Sequence, residues 1–435
     1  MKGMTLRAMT QAVNGIYHGN GEDYDKEITA ITIDSRKVTE GGLFIAIKGE
    51  RSDGHDFIGQ CFEKGAACVI SEKELPDEER SYIQVESSLQ ALKDLALLYR
   101  NNLDVKVVGI TGSVGKTSTK ETISSVLSEK YRVLKTLGNF NNEIGLPLTV
   151  FRLTEDDEVA VLEMGISDFG EMDRLSKIAQ PDICVITNIG FCHLENLGTR
   201  DGILKAKTEI FNHMNPDGIV IVNGDDDKLS TISQVHGKRP LVFGISNKDG
   251  VYADNIKSLG LDGTSFTIHG IKTSDNYSTF DLTVPVPGHH MVYNAMAAAL
   301  VGSVLGLSSI EIERGVKNLK TIAGRNNIIK ENGFTIIDDC YNANPVSMKA
   351  SLDVLDTAIG RKVAILGSMF ELGENEKQMH YDVGIYLGTK DIDVLITAGD
   401  LAAQIAAGTR AYIDTNYNAH GCEVHDFETR DDMLK

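Results

Sequence analysis

Short apolar runs rich in β-branched residues alternate along most of the chain with segments of helical periodicity. A central strand of a parallel sheet is covered on both faces and therefore reads as apolar throughout. The alternation predicts an α/β fold built from parallel sheets. The runs lie at 105–111, 159–165, 183–189, 219–223, 334–338, 362–366 and 394–398.

This pattern changes twice along the 435 residues, a length that already indicates two or three domains. Before residue 102 the sequence has short strands, turns and a helix-like FIGQCFEKGAA. A helix ending near Gly306 and a capping-box pattern from Ser308 to Glu311 come before a new strand–helix alternation that follows Arg325. We therefore predict an N-terminal domain over 1–101, a central domain over 102–320 and a C-terminal domain over 321–435.

The sequence GITGSVGKTSTK at 109–120 lies between a predicted strand and a predicted helix. Gly112 and Gly115 allow the backbone to turn with its N–H groups inward, Lys116 supplies charge to phosphates, and Thr117 offers a hydroxyl to Mg²⁺. Ile110 stands where the strict P-loop has its first glycine, so only 111–117 fits. The order of strand, loop and helix predicts a nucleotide phosphate site, and a glycine-rich turn without a ligand is the alternative.

Charge and composition narrow the ligand of this loop. The 43 Lys and Arg against 62 Asp and Glu give a net charge of −19, which argues against binding of nucleic acid. A GTPase base-reading motif Asn-Lys-x-Asp is absent, because Asn247 and Lys248 are followed by Asp249 and Gly250. The nucleotide favoured by the sequence is ATP.

The cysteines and apolar segments indicate the compartment. No two of the six cysteines have C-x-x-C spacing, so we expect reduced thiols in a cytoplasmic protein. The N-terminus lacks the apolar stretch of a signal peptide. The most membrane-like segment, 291–307, is short and contains Asn294, so we expect a buried helix there and no membrane insertion.

Polar side chains follow two of the predicted strands. Glu163 ends the strand VAVLEMG, and His193 follows the next strand in TNIGFCHLENLG. Ligands of open α/β sheets gather at the carboxyl ends of strands, and Mg²⁺ prefers oxygen ligands. From the residues alone, Glu163 could still be an exposed acid and His193 a structural residue, while Lys205 and Lys207 in GILKAKTEIF could be surface lysines.

Taken together, TGSVGKTS, the LEMG glutamate, TNIG with its following histidine, and AKTEIF resemble the Mur ligases, in which they occur in this order. Four further stretches resemble the members that join D-alanyl-D-alanine to UDP-N-acetylmuramoyl-tripeptide. They are DSRKVTEGGLFIAIKGERSDGHDF, LGNFNNEIGLP, DDCYNANPVSM and LGSMFELGE. The resemblance implies a three-domain architecture with a central P-loop domain and a Rossmann-like C-terminal domain.

The resemblance also implies roles for individual residues. It places catalysis on Lys116, Glu163, His193 and Lys207, and Mg²⁺ on Thr117, Glu163, His193 and a carbamylated Lys207. ATP is expected to contact the loop residues Gly112, Ser113, Val114, Gly115, Lys116, Thr117 and Ser118, with His290, Asn294, Arg325 and Asp339. The muramoyl-peptide and dipeptide substrates are expected to contact Ser35, Arg36, Asn139, Asn141, Asn142, Asn342 and Asn344.

The implied reaction is an ATP-dependent ligation through an acyl phosphate, carried out by a monomer, with a pentapeptide precursor of peptidoglycan as the product. Other Mur-type ligases, ligases similar to folylpolyglutamate synthases, and a non-catalytic nucleotide-binding protein are the alternatives. Three features depart from the family pattern. Met291 replaces an asparagine near the adenine site, Ser368 replaces an acid, and the sequence stops at Lys435 before a strand and a Lys-Gly-Ser-Arg turn. We therefore expect a truncated C-terminal domain.

Overall fold

The computed structural model describes residues 1–76, 80–417 and 419–435, and the chain begins with a small mixed sheet. Its strands pair in the order β1-β5-β4-β3-β2, parallel except for β1 with β5. These strands are β1 Ile16–His18, β2 Ile31–Thr32, β3 Leu43–Ile45, β4 Cys68–Ser71 and β5 Tyr82–Gln84. The helices of this N-terminal unit are α1 Leu6–Ala12, α2 Ile58–Glu63 and α3 Ser88–Asn101.

A larger sheet occupies the middle of the chain, with strands in the order β14-β13-β12-β11-β10-β9-β6-β8-β7. Neighbours from β7 to β12 are parallel, and β12, β13 and β14 are antiparallel. The strands are β6 Lys106–Thr111, β7 Val133–Lys135, β8 Val159–Glu163, β9 Ile183–Ile186, β10 Ile219–Asn223, β11 Leu241–Gly244, β12 Val251–Ser258, β13 Thr264–His269 and β14 Thr279–Val284. The four apolar runs between 105 and 223 are thus confirmed as parallel strands.

The helices of this central unit come between and after the strands. They are α4 Lys116–Leu127, α5 Gly145–Val150, α6 Glu171–Ala179, α7 Leu194–Leu197, α8 Arg200–Thr208, α9 His290–Val304 and α10 Ser309–Lys317. Strand β6 lies between β8 and β9, so the strands that follow it in sequence are placed on both of its sides. Such a reversal of strand order leaves a crevice at the carboxyl ends of the strands, which is where α4 begins.

Helix α9 is apolar around its whole circumference and packs with α4 on one face of the central sheet. Residues 295–299 are all buried. This placement confirms the prediction of a buried helix for the segment 291–307. Within the described part of the chain, no helix combines the length and apolar character needed to cross a bilayer. The predicted capping box at Ser308 and Glu311 is also present, at the start of α10.

One continuous hydrophobic core joins the N-terminal unit to the other face of the central sheet. Helix α3 links the two units, since it contacts both α5 and α6. The Tyr99 hydroxyl donates to the Leu153 carbonyl at 2.7 Å. The buried Arg100 guanidinium donates to three backbone carbonyls at 3.2 Å each, those of Ala179, Leu103 and Val105. The predicted boundary near residue 102 therefore falls where the two units share packed side chains, and the division into domains stays a prediction.

The third unit has a separate core and differs from the sequence prediction in one element. Residues 334–338 were expected to form a parallel strand covered on both faces. Instead, β15 Asn327–Glu331 and β16 Phe334–Asp338 form an antiparallel hairpin in which Phe334 and Ile336 are exposed. The cause is the Asn332–Gly333 pair, whose φ angles of 51° and 81° suit a two-residue hairpin turn.

The rest of this unit follows the predicted strand–helix alternation. Strands β17 Val363–Leu366, β18 Val394–Ala398 and β19 Glu423–Phe427 are parallel, in the order β17-β18-β19. Val363 and Ile365 are nevertheless exposed, so β17 is not covered on both faces as expected. The helices are α11 Pro345–Asp356, α12 Glu376–Gly388, α13 Ala402–Thr415 and α14 Arg430–Met433.

Replacing Arg100 with methionine should destabilise the junction between the first two units, because three buried carbonyls would lose their donor. We expect the free energy of unfolding to fall by about 1–3 kcal/mol, measured by urea denaturation. The matched control is Arg361→Met, which removes the same charge from an exposed side chain and should change stability by less than about 0.5 kcal/mol. Equal effects of the two substitutions would contradict this view of the junction.

Candidate functional site

The predicted phosphate loop is the turn that joins β6 to α4. Gly112 and Gly115 have φ angles of 151° and 82°, which are unfavourable for residues with a side chain. Within the described residues, the amide N–H groups of residues 115–118 have no hydrogen-bond acceptor. They lie at the N-terminus of α4, where the helix dipole also favours an anion. The turn therefore has the properties of a phosphate-binding loop.

The end of strand β9 holds this loop in place. The Asn188 side chain accepts from the Val114 N–H at 3.0 Å and donates to the Val114 carbonyl at 2.9 Å. The Thr187 hydroxyl donates to the same carbonyl at 2.7 Å. A Cβ atom at Gly112 would lie 1.9 Å from the Thr187 hydroxyl oxygen, so the close approach requires glycine. Sequence reasoning noticed TNIG but did not assign this role to Asn188.

Lys116 points back over the loop. Its ammonium donates to the Gly112 carbonyl at 2.7 Å and to the Ser113 carbonyl at 3.4 Å. Burial lowers the pKa of Lys116, and the neighbouring Glu163 carboxylate partly opposes that effect. A cation held at the mouth of the loop in this way can move onto a phosphate with a change of side-chain conformation only.

Glu163 ends β8 beside the loop, and 3% of its side chain is exposed. Its Oε1 atom accepts from the Thr117 hydroxyl at 3.2 Å and from the Asn141 amide at 2.9 Å. Its Oε2 atom is buried and forms no hydrogen bond with the residues that the structure describes, although Lys120 Nζ lies 3.7 Å away. Lys120 is itself buried, donates to the Thr136 carbonyl at 2.8 Å and lies 3.1 Å from Glu121. Sequence reasoning missed Lys120, because the sequence of α4 does not show which of its polar residues lie on the buried face.

Lys207 lies near the end of α8 and is 1% exposed. In the described residues no hydrogen bond or ion pair to its amine is found. Burial is the main cause that lowers its pKa to about 7, and the charge of Lys116 lowers it further. A buried lysine amine that is partly neutral at physiological pH can act as a nucleophile.

His193 begins the short helix α7 in the left-handed region, at a φ of 50°. Its Nδ1 atom lies 2.7 Å from Oε2 of Glu371, which belongs to the third unit. Burial lowers the pKa of His193, and the Glu371 carboxylate opposes that effect. Glu371 occurs in the LGSMFELGE stretch, but nothing in the local sequence indicated its contact with a residue 178 positions earlier.

Helix α9 contacts the first turn of α4, directly after the phosphate loop. The Asn294 side chain accepts from the Thr119 hydroxyl at 2.9 Å, and its amide donates to the Met291 sulfur at 3.3 Å. Met291 is buried, and its thioether sulfur acts as a weak acceptor for the Asn294 amide. His290 lies at the start of the same helix, and burial lowers the pKa of its imidazole. The helix thus aligns His290 and Asn294 on the side predicted to hold adenine.

Residues of the third unit lie next to the phosphate loop and helix α9 in the same cavity. The Arg325 guanidinium lies 4.2 Å from the centre of the Tyr341 ring, over its face. Asp339 accepts from the Asn326 N–H at 3.0 Å and from the Ser351 hydroxyl. The Asn326 side chain donates to the Pro287 carbonyl of the central unit at 2.7 Å. The Ser368 hydroxyl accepts from the first N–H of α13 at 3.3 Å, so the residue that replaces an acid acts as a helix cap here.

Some of the predicted substrate asparagines have local structural bonds. Asn142 accepts from two backbone N–H groups at the start of α5, and Asn344 accepts from two at the start of α11. Asn342 accepts from the N–H of Ala343. Asn139 is exposed and forms no side-chain hydrogen bond that the structure describes. Their side chains therefore contribute to the shape of the site whether or not they touch a substrate.

Most of the predicted site residues line one cavity of about 920 Å³ between the central and third units. These residues are Ser113, Val114, Gly115, Lys116, Thr117, Ser118, Asn139, Asn141, Asn142, Glu163, His193, His290, Asn294, Arg325, Asp339, Asn342 and Asn344. Gly112 and Lys207 are not among the lining residues. Ser35 and Arg36, which lie in a short turn of the N-terminal unit with Arg36 paired to Asp34, are not among them either.

The donors predicted to hold Mg²⁺ are the Thr117 hydroxyl, the Glu163 carboxylate and the His193 imidazole. The two oxygen donors match the preference of Mg²⁺, and Glu163 Oε2 forms no hydrogen bond with the described residues. The His193 imidazole is a nitrogen donor. In the described ranges, no three His, Cys, Asp or Glu side chains cluster as a metal site. The predicted set contains only two such side chains, Glu163 and His193, so it falls outside the kind of cluster that this criterion detects.

Three protein-family profiles match the chain in succession. They are described as "Mur ligase family, catalytic domain" over residues 27–100, "Mur ligase middle domain" over 110–302 and "Mur ligase, glutamate ligase domain" over 324–435. The UDP-N-acetylmuramoyl-tripeptide–D-alanyl-D-alanine ligase of Bacillus subtilis is 40% identical over 427 residues. The match covers 97% of this chain and 91% of the relative.

Solved structures agree with the sequence relatives. A crystal structure of MurF from Acinetobacter baumannii is 32% identical with a TM-score of 0.85, covering 99% of this chain and 97% of that one. MurF ligase from Thermotoga maritima, in complex with ADP, is 31% identical with a TM-score of 0.78. That match covers 92% of this chain and 94% of the other.

Replacing Gly112 with alanine should impair nucleotide binding, because the added methyl would collide with Thr187 and displace the loop. We expect the affinity for ATP to fall by about tenfold or more, which corresponds to about 1.4 kcal/mol. Isothermal titration calorimetry measures the change. Gly190→Ala is the matched control, since a Cβ there would meet its nearest neighbour at an ordinary 3.4 Å. Unchanged ATP affinity in Gly112→Ala would contradict the role of this loop.

Proposed function

Because the chain belongs to the Mur ligase family, we propose that it joins D-alanyl-D-alanine to UDP-N-acetylmuramoyl-tripeptide with ATP as the energy source. The product, UDP-N-acetylmuramoyl-pentapeptide, is a precursor of peptidoglycan. The observation that supports this proposal most directly is the cavity itself. It combines a phosphate loop, the buried Glu163 carboxylate and the asparagine-rich stretches at 139–142 and 342–344.

The chemistry explains why a nucleotide site and a peptide site share one cavity. A carboxylate resists attack by an amine because oxide would have to leave. Transfer of the γ-phosphoryl group of ATP to the tripeptide carboxylate gives an acyl phosphate and ADP. The amine of D-alanyl-D-alanine then attacks the carbonyl carbon, phosphate leaves with the C–O bond electrons, and the amine loses a proton. Both steps require the reacting groups to be positioned and their charge neutralised.

Named groups of the chain can position the nucleotide and neutralise its charge. The free N–H groups of residues 115–118 hold phosphate oxygens, and Lys116 can release its loop carbonyls to bind the outer phosphates. His290 and Asn294 border the adenine, and Arg325 and Asp339 approach the nucleotide from the third unit. Ser35 and Arg36 are proposed to hold the nucleotide-sugar end of the muramoyl substrate, outside the main cavity.

Thr117, Glu163, His193 and Lys207 are proposed to hold Mg²⁺. When bound, Mg²⁺ neutralises phosphate charge and draws the reacting oxygens together. One oxygen of Glu163 accepts hydrogen bonds from Thr117 and Asn141, and in the described part of the chain the other oxygen has no hydrogen-bond donor.

Lys207 is proposed to be carbamylated. A neutral amine and CO₂ form a carbamate with loss of a proton. The side chain then carries a negative charge and two oxygen atoms that can bind a metal. Two features of Lys207 support this: its amine is buried without a partner that the structure describes, and its lowered pKa of about 7 makes the neutral form available.

The test of the ligase assignment is phosphate release from ATP with Mg²⁺, UDP-N-acetylmuramoyl-tripeptide and D-alanyl-D-alanine, omitting one component at a time. We expect release only when all are present, and formation of the pentapeptide product by mass spectrometry. Lys116→Ala should reduce turnover by about a hundredfold or more while circular dichroism stays unchanged.

Each other outcome of this assay points to a different alternative. A requirement for folate and glutamate would indicate a folylpolyglutamate synthase-like enzyme, and a different amino acid would indicate another Mur-type ligase. ATP binding without phosphate release under any combination would indicate a non-catalytic nucleotide-binding protein. Running the assay with lysine and with diaminopimelate at the third position of the tripeptide identifies the substrate.

Lys207→Ala should reduce turnover by about a hundredfold or more, because the metal site would lose the carbamate. Acetate or another small carboxylate should restore part of the rate, since its oxygens can occupy the vacated space. Lys205→Ala, on the same helix but exposed, is the control and should retain its rate without acetate. Full activity of Lys207→Ala would contradict the carbamate.

A further inference from the structure

The third unit contacts His193 through one side chain that lies outside the predicted ligand set. Glu371 Oε2 lies 2.7 Å from His193 Nδ1, and the glutamate side chain is 61% exposed. Glu371 also borders the cavity that contains the phosphate loop and Glu163. A carboxylate of one unit therefore holds the imidazole of another at the edge of the proposed metal site.

The backbone of the two loops that carry His193 and Glu371 favours this contact. Both residues have left-handed φ angles, 50° for His193 and 61° for Glu371, which non-glycine residues adopt at some cost. A Cβ atom placed on Gly373 would lie 3.8 Å from Leu194, so the loop that carries Glu371 passes close to the residue after His193. The buried Leu372 fixes the same loop to the core of the third unit. The contact thus joins the loop of His193 to a loop that is anchored in the core of the third unit.

The atom that Glu371 touches decides what the other ring nitrogen can do. A carboxylate at Nδ1 stabilises the proton on that atom and leaves the lone pair on Nε2. Histidines that bind metals commonly donate their other N–H group to a carboxylate, which fixes both the tautomer and the ring orientation. Here that carboxylate comes from the unit that also supplies Arg325 and Asp339.

We propose that Glu371 is a positioning residue that orients His193 as a metal ligand, so that docking of the third unit completes the metal site. The inference rests on the proposed function. The contact between Glu371 and His193 makes metal affinity depend on the position of the third unit, because His193 loses its orienting partner when that unit moves away. The order of events would then be nucleotide binding, docking and tight metal binding.

The test measures Mn²⁺ binding to the full chain saturated with ADP, by electron paramagnetic resonance. Glu371→Gln keeps the size of the side chain and removes its charge, and we expect it to weaken Mn²⁺ binding by about tenfold or more. Glu374→Gln, three residues away on the same loop and exposed, is the matched control and should leave Mn²⁺ binding unchanged. Because Glu371 is largely exposed, thermal unfolding should be the same for all three proteins.

A double-mutant cycle separates an effect through His193 from a general effect of charge. In the His193→Ala background, Glu371→Gln should weaken Mn²⁺ binding no further. In the ligation assay, Glu371→Gln should raise the Mg²⁺ concentration needed for half-maximal rate, and excess Mg²⁺ should restore kcat.

Equal Mn²⁺ affinity of wild type and Glu371→Gln would overturn the inference, as would the same loss with and without His193. Either result, obtained with a wild-type protein that binds Mn²⁺ and completes the ligation, leaves the proposed function intact. A wild-type protein that binds no Mn²⁺ in the presence of ADP would overturn the proposed metal site and this inference together.

Discussion

The close approach of the Gly112 backbone to Thr187 is the constraint on which the site depends. It brings the start of α4 against the end of β9, and Asn188 then fixes the loop by bonding both polar groups of Val114. Because the loop is held through Ser113 and Val114, the N–H groups of residues 115–118 have no acceptor among the described residues and can bind an anion. A phosphate site built in this way needs no side chain to form its floor, which leaves Lys116 and Thr117 available for charge and metal.

The second determinant of the site is charge held away from water. Lys120, Lys207 and Glu163 are all nearly fully buried, and burial of charged groups costs folding free energy unless partners compensate. Lys120 has such partners in Thr136 and Glu121. Among the residues described, Glu163 Oε2 has no hydrogen bond and only the distant charge of Lys120, and the amine of Lys207 has no partner. The incompletely paired oxygen of Glu163 marks a place where a bound cation would be stabilised.

The sequence predicted those parts of the molecule that local chemistry determines. The parallel strands around β6, the phosphate loop, the buried helix α9 and the cap at Ser308 all follow from residues adjacent in the chain. The hairpin of β15 and β16 was missed although its signal, the Asn332–Gly333 pair, is equally local.

Contacts between distant segments could not be read from the sequence in the same way. The bond between Asn188 and the loop joins residues 74 positions apart, and that between Glu371 and His193 depends on how the third unit is placed. Neither has a periodicity or spacing that would reveal it. Family resemblance supplied the residue roles, and the geometry supplied the partners that orient those residues.

The continuous core between the N-terminal unit and the central sheet has a consequence for synthesis of the protein. A ribosome releases the chain from its N-terminus, and domains generally fold as they emerge. The first small sheet would remain incompletely packed until α5, α6 and the central strands have left the exit tunnel. The third unit, which has its own core, can then fold against a finished surface. Synthesis that stalls after α3 has emerged, and before α5 and α6 have emerged, would expose apolar surface of α3. Chaperones would act in that interval.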